Sequence, residues 1–235
     1  RPILSLAGLL ATVGIGVSIV AMTLFGHLVL GLDLATALLL GAVAAPTVSA
    51  AVFSVLRRVP IPARLRAILE AESGLNDAPV VLLVSAATAW ALGESTESPP
   101  LILGMVLVEL AGGLLLGLAI GWLGARVLKR IALPASGLYP LGAMGWALLA
   151  YGAGAYLHVS GFAAVYICAV VLGNSDLPHR NATKSFAEGV GWVAQIGLFV
   201  MLGLLAHPDR FALDVAITGV LAGLFLTLIA RPLSV

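Results

Sequence analysis

Residues 70–81 read Glu-Ala-Glu-Ser-Gly-Leu-Asn-Asp-Ala-Pro-Val-Val, three carboxylates at the head of an apolar run. The chain around them is built for lipid. Its 235 residues are 61% hydrophobic and 10% charged, with a mean hydropathy of +1.12, whereas soluble domains average roughly 25% charged residues. The formal net charge of +1 leaves no global field that would draw nucleic acid or an acidic partner. The question is therefore what Asp77 does inside a membrane segment.

Working outward from it, charge, Pro and Gly punctuate the chain into eight apolar segments, each a candidate for the ~20 residues that cross a bilayer. They lie near 3–30, 34–56, 66–92, 101–125, 136–157, 161–174, 187–206 and 212–230. Every second connector is basic. With Arg1 and Arg231, the residues Arg57, Arg58, Arg64, Arg66, Arg126, Lys129, Arg130, Arg180 and Lys184 make 11 of the 12 Lys and Arg on one side, leaving only Arg210 opposite. By the positive-inside rule both ends of the chain then face the cytoplasm. The expectation is an all-α, polytopic membrane protein, one transmembrane domain over 1–235 with no soluble domain split off by a linker. The chain starts at Arg1 without methionine and stops at Val235 inside a helical pattern, so it reads as a piece of a longer protein. The apolar stretch from Pro2 to Leu30 is too long for a signal peptide.

Most charges sit in connectors, but Asp77 lies about a third of the way into the third segment, with Glu72 a little over one turn before it. An ionised carboxylate at the bilayer centre costs about 2.5–3.5 kcal/mol on insertion scales, so such groups face a cavity, a partner or a pathway. A structural ion pair is the plain alternative for Asp77. At 100° per residue Ser73 and Asp77 share one stripe, and Glu72 and Asn76 form another beside it. The stripe of Ser73 and Asp77 offers the oxygens a hard monovalent cation needs; that of Glu72 and Asn76 reads as support. Glu70, nearest the basic connector, reads as a solvated cap.

The preceding segment contains Gly41-Ala-Val-Ala-Ala-Pro46-Thr47-Val48-Ser49. Proline inside a helix removes one backbone hydrogen bond and leaves the carbonyl of Ala42 without its donor. Either this is a simple kink or the helix is broken, as in transporters that expose carbonyls to an ion at the midplane. Pro79 similarly frees the carbonyl of Leu75. His27, Glu109, Glu188 and Gln195 are weaker candidates, explained by packing or snorkelling, and Cys168 by plain burial. Small-residue faces at Gly112, Gly113, Gly117 and Gly121 suit close helix contact.

The run Leu69-Glu-Ala-Glu-Ser-Gly-Leu-Asn-Asp77 resembles the "ESxxND" signature of the monovalent cation:proton antiporter-1 family, especially its bacterial NhaP-type members. Further similarity lies in Ala45-Pro-Thr47, in Ala50 to Arg58, in Leu172-Gly-Asn-Ser-Asp-Leu-Pro-His-Arg180 and in Phe186 to Gly197. The resemblance implies a Na+/H+-exchanger-like fold of two inverted repeats, truncated here at both ends, a homodimer in the cell membrane, and no cofactor beyond the transported Na+ or K+ and H+. It implies that Asp77 carries proton and cation in turn, that Ser73 and Thr47 add oxygens to the metal ion, and that Asn76 is the neutral partner of electroneutral exchangers. Glu72 would pair with Arg231, and Pro46 and Pro79 would mark the helix breaks. One position departs: where the family has Thr-Asp, this chain has Thr47-Val48, so the second carboxylate is missing.

The expected function is exchange of K+ or Na+ for H+, one for one, with a transport-inactive ion or pH sensor as the alternative that Val48 raises. An enzyme is not expected. Gly74-Leu-Asn-Asp77 comes close to the Gly-x-Gly-Asp of intramembrane aspartyl proteases, but those need a second membrane aspartate, and Asp33, Asp176, Asp209 and Asp214 all sit at connectors or helix ends. There is no Gly-x-Ser-x-Gly elbow, and four scattered histidines with one cysteine give no zinc spacing.

Overall fold

The computed structural model describes residues 8–46, 61–94, 99–207 and 212–234, and within them the regular structure is helical throughout. Eight helices fall where the sequence places eight apolar segments. They are α1 (Leu10–Leu28, opening with a π-helical turn at Leu10–Gly14), α2 (Leu34–Ala44), α3 (Ala63–Ala91), α4 (Pro99–Arg130), α5 (Leu138–Tyr156), α6 (Gly161–Gly173), α7 (Arg180–Leu205) and α8 (Leu213–Phe225). After α8 the chain continues through a π-helical turn, Leu226–Ala230, into Arg231–Ser234. α1, α3, α4, α7 and the Val215–Ser234 stretch are long and apolar enough to cross a membrane. α2 and α6 are shorter; at 1.5 Å per residue the 11 residues of α2 reach about 16 Å, half a bilayer core.

The helix starts are locally encoded. Asp33 caps α2, its Oδ2 accepting from the Thr36 N–H at 3.0 Å, and this bond with Thr36 holds the exposed carboxyl below its ordinary pKa. Ser160 caps α6, accepting from the Ala163 N–H at 3.2 Å, one of the orphan donors of a helix N-terminus. Hydroxyls inside the helices bond backward to the previous turn: Thr12 to the Gly8 carbonyl at 2.7 Å, Thr23 to Ile19 at 2.8 Å, Thr88 to Val84 at 2.7 Å and Thr227 to Gly223 at 2.8 Å.

The chain forms two compact units, residues 1–103 with 207–235, and residues 104–206. α4 contributes its first turn to one and its remainder to the other.

In unit 1, α2 lies between α1 and α3, and the C-terminal stretch packs on α1. α1 and α2 approach closely at Gly41, where a Cβ would stand 2.7 Å from both the Ile19 carbonyl oxygen and Thr23 Oγ1. Phe25 and Phe225 stack at 4.2 Å beside the fully buried Met22. In unit 2, α4 and α6 meet along small residues: a Cβ on Gly113 would run into the Ser160 carbonyl oxygen, and one on Gly117 into that of Ala164. The Ser160 N–H also donates to the Glu109 carbonyl at 3.0 Å. Ala125, Ala143, Ala164, Cys168 and Leu172 form the core of this unit, with Trp146 against it. α7 buries none of its residues within this unit.

Candidate functional site

α3 begins after Pro62 and runs unbroken through Pro79 to Ala91. Proline has no N–H, so the Leu75 carbonyl has lost its usual donor within an otherwise continuous helix. Glu72, Ser73 and Asn76 are buried, the last two completely. Asn76 Nδ2 donates to Glu72 Oε1 across one turn at a long 3.5 Å, so the stripe assigned to support is tied together and turned inward. Asp77, one turn beyond Ser73, is exposed. The stripe that starts buried at Ser73 reaches the unit's surface at Asp77.

The other half of the site is the end of α2. The helix stops at Ala44, its last turn closed by the Ala45 N–H on the Gly41 carbonyl at 3.0 Å, and Pro46 follows at once. Ala45 is fully buried in a cluster with Ile15 and Ile19 of α1, and Val80 and Leu83 of α3 pack on that cluster. The C-terminus of α2 therefore lies beside the turn of α3 that follows Asp77 and Pro79. Carbonyls at a helix C-terminus carry a partial negative charge and lack intrahelical donors. Arg231, reaching in from the end of unit 1's last helical stretch, donates through Nη2 to the Ala45 carbonyl at 2.7 Å.

Of the residues singled out in the sequence, the structure thus brings Ser73, Asn76, Glu72, Pro46 and Arg231 into one unit, with Asp77 at its edge. The resemblance pairs Arg231 with Glu72; in the structure Arg231 bonds to the Ala45 carbonyl, and Glu72 to Asn76. Thr47, Val48 and Ser49 lie outside the described residues, as does the side chain of Glu70. His27 serves the fold, sharing a 2.7 Å hydrogen bond between Nδ1 and the Leu32 carbonyl. Glu188 lies in the other unit, in a cavity treated below. Among the described residues no three His, Cys, Asp or Glu come together as a group that could hold a metal ion. The Arg231 contact joins residues 186 positions apart, and no local pattern in the sequence announces it.

Comparison with known proteins points to one family. The family model described as sodium/hydrogen exchanger, transmembrane, matches residues 3–235. The K(+)/H(+) antiporter NhaP2 of Shewanella oneidensis is 34% identical over 227 residues, which cover 96% of this chain and 39% of that protein. The K(+)/H(+) antiporter NhaP of Alkalimonas amylolytica is 34% identical over 241 residues, covering 100% and 41%. The Na(+)/H(+) antiporter NhaS2 of Synechocystis is 28% identical over 220 residues, covering 89% and 38%. The chain spans about two fifths of the length of these relatives. With a match to that family model along nearly its whole length, this chain belongs to the sodium/hydrogen exchanger family.

Proposed function

We propose that this chain forms part of a secondary transporter that exchanges K+ or Na+ for H+ through one carboxylate, Asp77. The observation that carries the proposal is the composition and placement of α3, which sets a carboxylate at the end of a stripe that begins with buried Ser73 and runs beside the tied pair Glu72 and Asn76. The names of the relatives, two K(+)/H(+) antiporters and one Na(+)/H(+) antiporter, support the same class of cargo. A carboxylate bound to a metal ion resists protonation, and a protonated one has lost its charge for the metal, so the two ions compete for the same oxygens. If the site crosses the membrane only when occupied, proton and cation move in opposite directions. Ser73 and Thr47 add neutral oxygens. Asn76, held by Glu72, adds no charge.

In the same proposal Arg231 stabilises the carbonyl end of the broken α2, and Pro46 and Pro79 open the backbone on either side of the carboxylate. The basic connectors face the cytoplasm of a cell membrane, and the protein works as a homodimer.

The test is made on the full-length protein in proteoliposomes with a pH dye inside, adding K+ and Na+ in turn. Cation-driven proton movement is expected in wild type and should vanish in Asp77→Asn. A wild type silent to both ions would instead favour the inactive, ion-sensing relative suggested by Val48 in place of a second carboxylate.

A further inference from the structure

Unit 2 opens a cavity of about 640 Å³ at the end of the bundle where α5 and α7 begin and α6 finishes, within the range of roughly 300–1,000 Å³ of small-ligand sites. One wall is apolar and regular. Pro140, Ala143, Met144 and Ala147 line it from α5, at spacings of three, four and seven that place them on one helix face. From Pro140 to Ala147 the wall is about 10 Å deep, less than the ~15 Å hydrocarbon depth of one leaflet.

The opposite wall is charged at its mouth. Arg180, Thr183 and Lys184 face the cavity from the first turns of α7. Both cations are exposed, and neither forms an ion pair among the described residues. Their position is fixed by the chain around them. His179, in the left-handed region at φ 55°, packs its ring on Tyr139 at 5.2 Å. The Tyr139 hydroxyl donates to the Ile131 carbonyl at 3.1 Å and accepts from the Leu133 N–H at 3.3 Å. The starts of α5 and α7 are thereby held together, with Pro140 and Arg180 as the next residues on either side. Glu188 lines the cavity one turn beyond Lys184, about 12 Å along the helix from Arg180, so an anion would be kept at the mouth and turned away from the depth.

We infer that this cavity binds one anionic phospholipid, its phosphate between Arg180 and Lys184 and an acyl chain along the Pro140 to Ala147 wall. Charge complementarity selects the occupant. Two cations above an apolar slot match a molecule with an anionic head and an apolar tail, and basic pockets between membrane helices are suited to such head groups. A free phosphate would leave the slot uncovered, and a zwitterionic lipid would bring its own ammonium against the two cations. The inference is independent of antiport and of Asp77.

The test uses the full chain purified in mild detergent and incubated with dioleoylphosphatidylglycerol, dioleoylphosphatidylcholine or inorganic phosphate, with bound lipid counted by native mass spectrometry. Wild type should retain the anionic lipid over the zwitterionic one by about tenfold or more. The double variant R180Q/K184Q should bring that ratio close to parity. Ala147→Phe, which fills the slot and leaves both cations in place, should lower retention of the anionic lipid, and it serves as the deciding variant if the double variant does not fold. Equal retention of the two lipids by wild type, an unchanged ratio in R180Q/K184Q or an unaffected Ala147→Phe would overturn the inference. Displacement of the anionic lipid by millimolar phosphate would also overturn it, by showing a free-anion site.

Discussion

Arg231 is the residue whose loss should be felt most. It donates at 2.7 Å to a carbonyl just past the end of α2, on a residue with no solvent exposure. A buried acceptor stripped of a charged donor costs about 1.5–3 kcal/mol. Arg231→Ala is therefore expected to lower stability by that amount in thermal unfolding of the detergent-solubilised protein. Arg231→Gln, which keeps a donor without the charge, should recover part of it, and a Gln variant no better than Ala would show that the hydrogen bond is not what stabilises the end of α2. Residue types in this site were legible because a carboxylate amid apolar residues is expensive and so conspicuous. That Glu72 and Asn76 share one stripe followed from helical spacing alone; that the stripe turns inward did not. The exposure of Asp77 and the partner of Arg231 did not, since both depend on which helices surround α3 and on a contact between distant segments.

At the level of helices, positions were readable and ends less so. Segment 187–206 was expected to begin where the charges stop, yet α7 starts at Arg180, and α4 runs on to Arg130 where 125 was expected. Both extensions are turns carrying Arg or Lys, which a hydropathy boundary assigns to a connector although basic residues are good helix formers. Helix pairing could be anticipated from glycine faces, and it can be tested at one position. A Cβ at Gly117 would collide with the backbone of Ala164, whereas one at Gly145 meets nothing within 4 Å. Gly117→Val should force α4 and α6 apart and destabilise unit 2 by about 1–3 kcal/mol. Gly145→Ala, in the same unit, should be neutral or slightly stabilising because alanine favours helix. Equal unfolding temperatures for the two variants would mean that the close approach carries no energy.

For the whole molecule, the division into two units was not visible in the sequence. No polar linker marks it, and α4 passes from one to the other between Leu103 and Gly104. The proposed exchange through Asp77 leads to one further expectation, that one cation moves for each proton. Transport by the full-length protein should then carry no steady current, and a potential imposed across the vesicle should leave its rate unchanged; a sustained current on a supported membrane would require another charge in the cycle. The backward hydrogen bonds of Thr12, Thr23, Thr88 and Thr227 bear on how the protein comes to be in the membrane at all. Each hydroxyl is satisfied within its own helix as soon as that helix forms, so no segment needs a neighbour to shelter these groups when it leaves the insertion machinery. For these hydroxyls, then, insertion of a helix ahead of its neighbours carries no cost of an unmet donor.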